Sequence, residues 1–574
     1  MTYDQVLAPL KPKTKPFKYA VFDIESSNWV NFELLGFYDG DKYLEFKTVK
    51  EFLEHILVKR YAFTRMFAHA GGRFDFNFIL DALNKHFKDY EYQILSGQGI
   101  SEIRVFSESQ NRAWIFKDSY RLLPMSLKKL TEIFNVEHKK QEIDYANITK
   151  DWEKLREYLK YDVVGLYEVI GKFKEWFCKY QVPLQTTLAS QSMAMFRTQL
   201  NQTIPVLSDK VEKFIRNTYF GGRVEIFKMR CFKHIYGMDV NSLYPHVMVK
   251  YPMPTGKAVY VREFRENEIG FYKADVKIPD VYVPPLPLVD KHKLLFPYGR
   301  MTGFFTSKEL EVLQDLGGDI NIHYGYIFSS GFLFSDYIRD MYERKRTAKD
   351  PMEKLIYKLL MNSLYGKFGQ SRLKDKLIRV RKLSDAVGLK PYDPAYNLFS
   401  ETTLSRATFI IPSIASWVTS CARFELYQWL KQAGDEHLFY CDTDSVFTDK
   451  PLPIGDELGD MKMEYEGEEA IFLLPKLYAI RMADGTMKIK AKGFEQAFVK
   501  SHLSFKSFER ALHGNTLDFK QTVRKFASFK ESMKRNACSI SMINQSKSIQ
   551  SSYDKRKVLR NLDTEAWKYP RLLK

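Results

Sequence analysis

At 574 residues the chain is too long for a single hydrophobic core and calls for three or four packed units of roughly 100–200 residues. Its 45% hydrophobic and 28% charged residues are those of a folded globular protein, and no stretch reaches the roughly 18 apolar residues of a membrane span. The formal net charge of +18 favours a polyanionic partner, and residues 501–574, with 16 Lys/Arg against 6 Asp/Glu, hold an excess of ten of those charges. Aromatic residues at 15% add rings able to stack on unpaired bases, although most must be core. The N-terminus alternates Pro and Lys and is not a secretory signal. Five scattered cysteines, Cys178, Cys231, Cys421, Cys441 and Cys538, form no Cys-x-x-Cys pair and fit a reducing, cytoplasm-like compartment.

In chain order, residues 18–24 (KYAVFDI) have the pattern of a buried strand ending in acids, and residues 63–69 that of a second strand. Residues 156–173 have helical apolar spacing, and a change of pattern through Pro183 sets a boundary near 185. A strand from Tyr236 runs into Asp239 and then a helix. Residues 254–324 are rich in Pro, Gly and Tyr, with short strand-like pieces. Residues 336–368 read as a basic helical region broken at Asp350-Pro351, residues 371–402 as irregular and basic, and residues 410–432 as helix. HLFYCDTDSVFT (437–448) predicts a β-hairpin with its acids at the tight turn, and the last 70 or so residues are expected to be mainly helical.

Two carboxylates one residue apart on an extended strand project to the same side. Asp442 and Asp444 in YCDTDS (440–445) can therefore share divalent cations, for which hard oxygen ligands suit Mg²⁺. A lone D-x-D is as often a surface turn. Asp239 in GMDVNSLYP (237–245) offers the second carboxylate strand that a two-metal site needs, with the backbone at Val240 able to face a triphosphate. On the basic helix, KLLMNSLYG (358–366) places Lys358, Asn362 and Tyr365 on one face, with Lys358 able to neutralise phosphate charge and Tyr365 to stack on a base pair. The N-terminal unit has its own acids. Asp23 and Glu25 lie on one side of a strand end, Asp75 follows in HAGGRFD (69–75), and Tyr158 and Asp162 sit one helical turn apart. Four acids and a tyrosine suffice for metal-assisted phosphodiester hydrolysis.

The segments at 237–245, 358–366 and 440–445 resemble, in this order, motifs A, B and C of family B DNA polymerases, in wording closest to the protein-primed branch of phages, adenovirus-like viruses and linear plasmids. The resemblance implies an α/β multidomain fold, an RNase H-like 3′–5′ exonuclease domain joined to a right-hand polymerase of palm, fingers and thumb. It implies metal sites at Asp239, Val240, Asp442 and Asp444, a steric gate against ribonucleotides at Tyr244, a primer–template contact at Ser242, and nucleotide contacts at Val240, Lys358, Asn362, Tyr365 and Arg346. YFGG (219–222) is similar to the Y-x-G-G loop that coordinates synthesis and editing, with Tyr219, Gly221 and Gly222 on DNA; TSCAR (419–423) to a primer-contact motif through Thr419 and Arg423; and KLY (476–478) to a primer-terminus motif through Lys476 and Tyr478. Asp23, Glu25, Asp75 and Asp162 match the metal acids of the three exonuclease motifs, with Tyr158 and Lys140 as catalytic partners and Ser26, His69, Phe74, Ser119 and Tyr120 as single-strand contacts. Where the branch has His-Asn, this chain has His69-Ala70, which implies weaker proofreading or altered strand transfer.

The spacings of 112 residues between Pro245 and Lys358 and 53 between Tyr365 and Thr419 resemble the two insertions of that branch, one docking a terminal protein, the other closing a tunnel on downstream DNA. The implied layout is exonuclease 1–185, palm 186–252, first insertion 253–333, fingers 334–369, second insertion 370–402, palm 403–510 and thumb 511–574. It implies a Mg²⁺-dependent, processive, strand-displacing monomer acting on primer–template, single-stranded DNA and deoxynucleoside triphosphates, with no membrane partner. A nucleic-acid-primed polymerase, a non-catalytic DNA-binding relic and an RNA polymerase or reverse transcriptase are the alternatives, the last opposed by Tyr244 and the attached nuclease.

Overall fold

The computed structural model describes residues 5–11, 17–27, 31–97, 99–107, 111–142, 151–526, 531 and 540–570. Cys538 lies outside them. No helix among the described residues is long and apolar enough to cross a membrane.

A ten-stranded mixed sheet organises the N-terminal unit. Within it, the strand Tyr19–Ser27 is parallel to Arg65–Ala68, which is in turn parallel to Arg112–Asp118. The strands Asn31–Tyr38 and Tyr43–Phe46 extend one edge. The long helix Trp152–Lys179, capped by the Asp151 side chain on the Lys154 N–H, lies across this sheet. It comes close because Gly36 has no side chain there: a Cβ would stand 2.9 Å from Leu159 and 3.1 Å from Val163. The other edge of the sheet comes from far along the chain. Leu373–Arg379 pairs antiparallel with Glu91–Gly97, followed by Leu398–Leu404 and Lys390–Asp393. The segment expected to be irregular is thus an ordered part of the N-terminal sheet. Leu373–Arg379 is paired on both sides, with Leu377 and Arg379 buried and Leu373 and Asp375 exposed.

A second sheet has the order Val224–Ile226, Leu438–Asp442, Ser445–Thr448, Ile235–Val240, Met461–Leu474, Leu477–Met482 and Met487–Ala491. The helix Pro412–Ala433 packs on its neighbours and is buried on nearly all sides, polar residues such as Ser416, Ser420 and Arg423 included. The helices Ser335–Thr347 and Pro351–Ser363 form the expected pair, broken at Asp350, whose side chain caps the second helix while Pro351 opens it. Residues 253–331 form a sheet of their own from Met253–Val261, Asp319–Gly331, Ile269–Ile278 and Tyr298–Thr306, and the C-terminal Lys568–Tyr569 joins it parallel to Tyr298–Gly299.

The expectation of a mainly helical C-terminus is corrected. After the short helices Gln496–His502 and Phe505–Leu512, the chain forms the hairpin Leu517–Phe526 with Ile540–Ile549. Leu517, Phe519 and Val523 of LDFKQTVRKF share one face of an extended strand, a period-two pattern interrupted by Gln521 and obscured by its basic residues.

Candidate active sites

The catalytic candidates of the second sheet are collected by strand register. Ile235–Val240 pairs with Ser445–Thr448 so that Asp239 stands opposite Ser445. Leu438–Asp442 pairs with the same strand, with Asp442 also opposite Ser445. The connecting turn is tight: Thr443 adopts φ +64°, the Asp444 N–H donates to the Asp442 carbonyl at 2.7 Å, and the Val240 N–H donates to the Asp444 carbonyl at 2.8 Å. Strain of this kind in a non-glycine residue recurs at Ser242, φ +57°, which starts the helix Leu243–Lys250. Gly222 is required here, since a Cβ would meet the Thr443 hydroxyl at 2.6 Å. Gly221 faces open space, room a polymer could use.

Burial and then the neighbouring Asp444 raise Asp239 to about 7; burial and Asp442 raise Asp444 to about 6. Glu464 adds to both shifts. It sits at a bulge in Met461–Leu474, where the register slips between Gly237 and Met238, and sequence reasoning missed it. A glutamate in an alternating polar strand gives no signal; only the bulge turns it toward the aspartates. Lys476 is drawn to Asp442 at 3.5 Å, and the Asp442 carboxylate accepts from the Tyr440 hydroxyl at 3.1 Å.

The rings of Tyr244 and Tyr365 stack at 4.2 Å beside these acids, and Lys358 and Asn362 are exposed on the adjoining helix. Arg346 is turned to Glu343, with Glu457 at 3.9 Å. Burial, and after it the neighbouring Lys358, Lys354 and Lys462, lowers the pKa of the adjacent Lys345. Direct DNA contact by Thr419, Arg423 and Tyr478 does not fit the structure, because all three are at most 5% exposed. Arg423 donates to the carbonyls of Phe220 and Gly221 and pairs with Glu309 at 2.7 Å, so it props the loop of Tyr219 from behind. The Tyr478 ring lies among Tyr440, Phe447 and Phe472.

At the second site, ligand atoms of Asp23, Glu25 and Asp162 come within 4.8 Å of one another. Asp75, the first residue of the helix Asp75–His86, accepts the Ile24 N–H at 3.1 Å and is buried beside them. Burial first, and neighbouring acids after it, raise Asp23 to about 7 and lift Glu25 and Asp75 well above the carboxylate range. Lys140 donates to both the Tyr158 hydroxyl and Asp162. Its loop is pinned by Glu168, which accepts the N–H groups of Glu137 and His138 and pairs with His138 Nδ1 at 2.6 Å. Of the expected strand contacts, Ser26 follows a bulge at the strand end and Phe74 and Tyr120 are part-exposed. Ser119 is fully buried, and both His69 ring nitrogens are taken, by the Ser119 hydroxyl at 3.0 Å and the Met125 carbonyl at 2.8 Å. These two shape the site from within and do not present a free polar group to a strand. Burial lowers His69 to about 4, so it is neutral near pH 7. Ala70 holds φ +59°.

One carboxylate centre lies on the ten-stranded mixed sheet and the other on a hairpin sheet flanked by a helical pair, the arrangement of a multidomain polymerase. Residues 60–154 and 149–387 match the family described as DNA polymerase type B, organellar and viral, and the chain belongs to that family. It is 27% identical to a probable DNA polymerase of Neurospora intermedia over 81% of this chain and 58% of the relative. It is 26% identical to the DNA-directed DNA polymerase of Enterobacteria phage PRD1 over 84% of this chain and 86% of the relative. The chain spans only 40–58% of the length of three fungal relatives. Its fold matches phi29 DNA polymerase complexed with single-stranded DNA at a TM-score of 0.72, with 20% identity, covering 93% of this chain and all of that one.

Proposed function

We propose that the chain is a DNA-directed DNA polymerase with a 3′–5′ exonuclease, primed by a terminal protein. The observation that carries this is the convergence of Asp239, Asp442 and Asp444 through strand register, with Asp239 and Asp444 pushed up to about 7 and about 6 by burial and neighbouring acids. So much negative charge in one buried place is stable when countered by cations, and an all-oxygen donor set suits Mg²⁺. Bound there, divalent cations would activate the primer 3′-hydroxyl and neutralise the leaving pyrophosphate. The protein's part is placement. The backbone of Val240 and the cations Lys358 and Lys345 face the triphosphate. Tyr244 crowds the sugar 2′ position, and Tyr365, stacked on it, covers the nascent base pair. The new bond joins the primer oxygen to the α-phosphorus as the bond to the β-phosphate breaks.

The acids Asp23, Glu25, Asp75 and Asp162 fit the same kind of cation. There Tyr158 and Lys140 orient the water that cleaves a frayed 3′ end, while Phe74 and Tyr120 hold the unpaired bases. Support for protein priming comes from the two inserted segments and the likeness to phage enzymes; the first inserted sheet is the proposed dock for the terminal protein, the second the wall of a downstream channel. Incubation with a cognate terminal protein and labelled dATP should label that protein. Labelling only of a nucleic-acid primer would favour nucleic-acid priming.

A further inference from the structure

Beneath the Asp442–Asp444 turn lies a buried ionic cluster that the sequence motifs do not mark. Arg223, Glu225 and Arg556 are 1%, 0% and 0% exposed. Arg223 Nε donates to Glu225 Oε2 at 2.7 Å, and Arg556 Nη1 stands 3.9 Å from the other carboxylate oxygen. The cluster joins three remote segments. Arg223 Nη1 reaches the Pro284 carbonyl, and Arg556 Nη2 the Tyr282 carbonyl, both at 2.9 Å and both in the first inserted segment. Arg556 Nε donates to the Thr564 hydroxyl at 2.8 Å, within the root of the C-terminal hairpin. From that same root, the Tyr553 hydroxyl takes the Ile226 N–H at 2.9 Å and Lys555 Nζ donates to the Val224 carbonyl at 3.1 Å.

All of this bears on one edge strand. Val224 stands opposite Asp442 and Glu225 opposite Cys441, and the Arg223 carbonyl accepts the Thr443 N–H at 2.8 Å. Three buried charges cost more than a well-packed apolar cluster of equal volume would, so their presence asks for a role other than stability.

We propose that Arg223, Glu225 and Arg556 are positioning residues through which the hairpin root and the first inserted sheet set the place of the catalytic turn. Duplex held by the hairpin, or a partner docked on the inserted sheet, then acts on Asp442 and Asp444 by a chain of direct contacts: Arg556, Glu225, Arg223, Thr443. The other carboxylate centre, on the N-terminal sheet, has no part in this path. The effect on synthesis rests on the proposed polymerase activity; the effect on the turn does not.

The test is Arg556→Met in the full chain, which leaves the Arg223–Glu225 pair neutral and cuts the hairpin root from it. Amide hydrogen exchange at Thr443 should quicken about tenfold. The Mg²⁺ concentration for half-maximal primer extension should rise about fivefold, with Mg²⁺-dependent degradation of single strands unchanged. Arg556→Lys, keeping a cation toward Glu225, should recover most of both. Unchanged Thr443 exchange in Arg556→Met overturns the proposal, as does an equal loss of extension and degradation. Should Arg556→Met fail to fold, Tyr553→Phe, which removes only the hydroxyl on Ile226, should still quicken Thr443 exchange by about threefold, and no change there overturns it too. A wild-type chain that extends no primer would sink the activity while leaving the exchange result to decide the coupling.

Discussion

Asp444→Asn keeps the shape of the turn but removes a charge that the proposed two-metal chemistry requires. Extension should fall on the order of 1,000-fold, about 4 kcal/mol of transition-state stabilisation, with degradation of single strands intact in the same preparation. The raised carboxylates also make a prediction about pH. Burial and neighbouring acids push Asp23 and Asp239 up to about 7, well above the ordinary carboxylate value. The folded chain thus binds more protons than the unfolded chain between about pH 4 and 7, and its stability falls as pH rises through that window. Metal-free protein should melt at a lower temperature at pH 7.5 than at pH 5.5, and Mg²⁺ should restore the loss at the higher pH only. Asp239→Asn should flatten the dependence by on the order of 1–2 kcal/mol, allowing for partial screening. A metal-free melting temperature that rises from pH 5.5 to 7.5 would contradict this. Ala70 is a third case at this scale. Its φ of +59° suits Gly or Asn and costs an alanine roughly 1 kcal/mol. Ala70→Asn should relieve that strain and add an amide in the strand path, raising the share of primer ends degraded; unchanged degradation rate and partitioning would remove the residue from the account.

At the scale of elements, the sequence was most legible where chemistry and periodicity coincide. The strand into Asp239, the helix broken at Asp350-Pro351 and the hairpin of 437–448 lie where local pattern puts them. What local pattern could not supply was pairing between distant segments. Nothing in residues 371–402 announces that Leu373–Arg379 will pair with Glu91–Gly97, and nothing in the C-terminus that Lys568–Tyr569 will join the first inserted sheet. Glu464 was illegible for the same reason, since its orientation comes from a bulge against another strand. So was the burial of Arg423 and Tyr478, which motif likeness alone places at a surface. Two substitutions probe these joints. Gly222→Ala drives a methyl group into Thr443 and should slow extension with little effect on degradation. Arg379→Met leaves the carbonyls of Leu83 and Phe87 without the guanidinium that now donates to them at 3.1 and 3.3 Å. It should cost about 1–3 kcal/mol and lower the thermal resistance of the proposed nuclease activity, because Leu373–Arg379 and the strands of the N-terminal carboxylate centre share one sheet. Unaltered thermal inactivation would mean that the shared sheet is not a mechanical unit.

For the whole molecule, one chain presents two carboxylate centres, which in the proposed function act in opposite directions on the same primer end, and strands from residues 373–404 and 568–569 tie its distant parts together. The most direct measurement is extension of a single primer on a circular single strand, with this chain, Mg²⁺ and no other protein. With all four deoxynucleoside triphosphates the account predicts product many times longer than the circle, and without them stepwise shortening of the primer from its 3′ end. Ribonucleoside triphosphates should not substitute. A wild-type chain that binds the primed circle but leaves the primer length unchanged under both conditions would contradict the account.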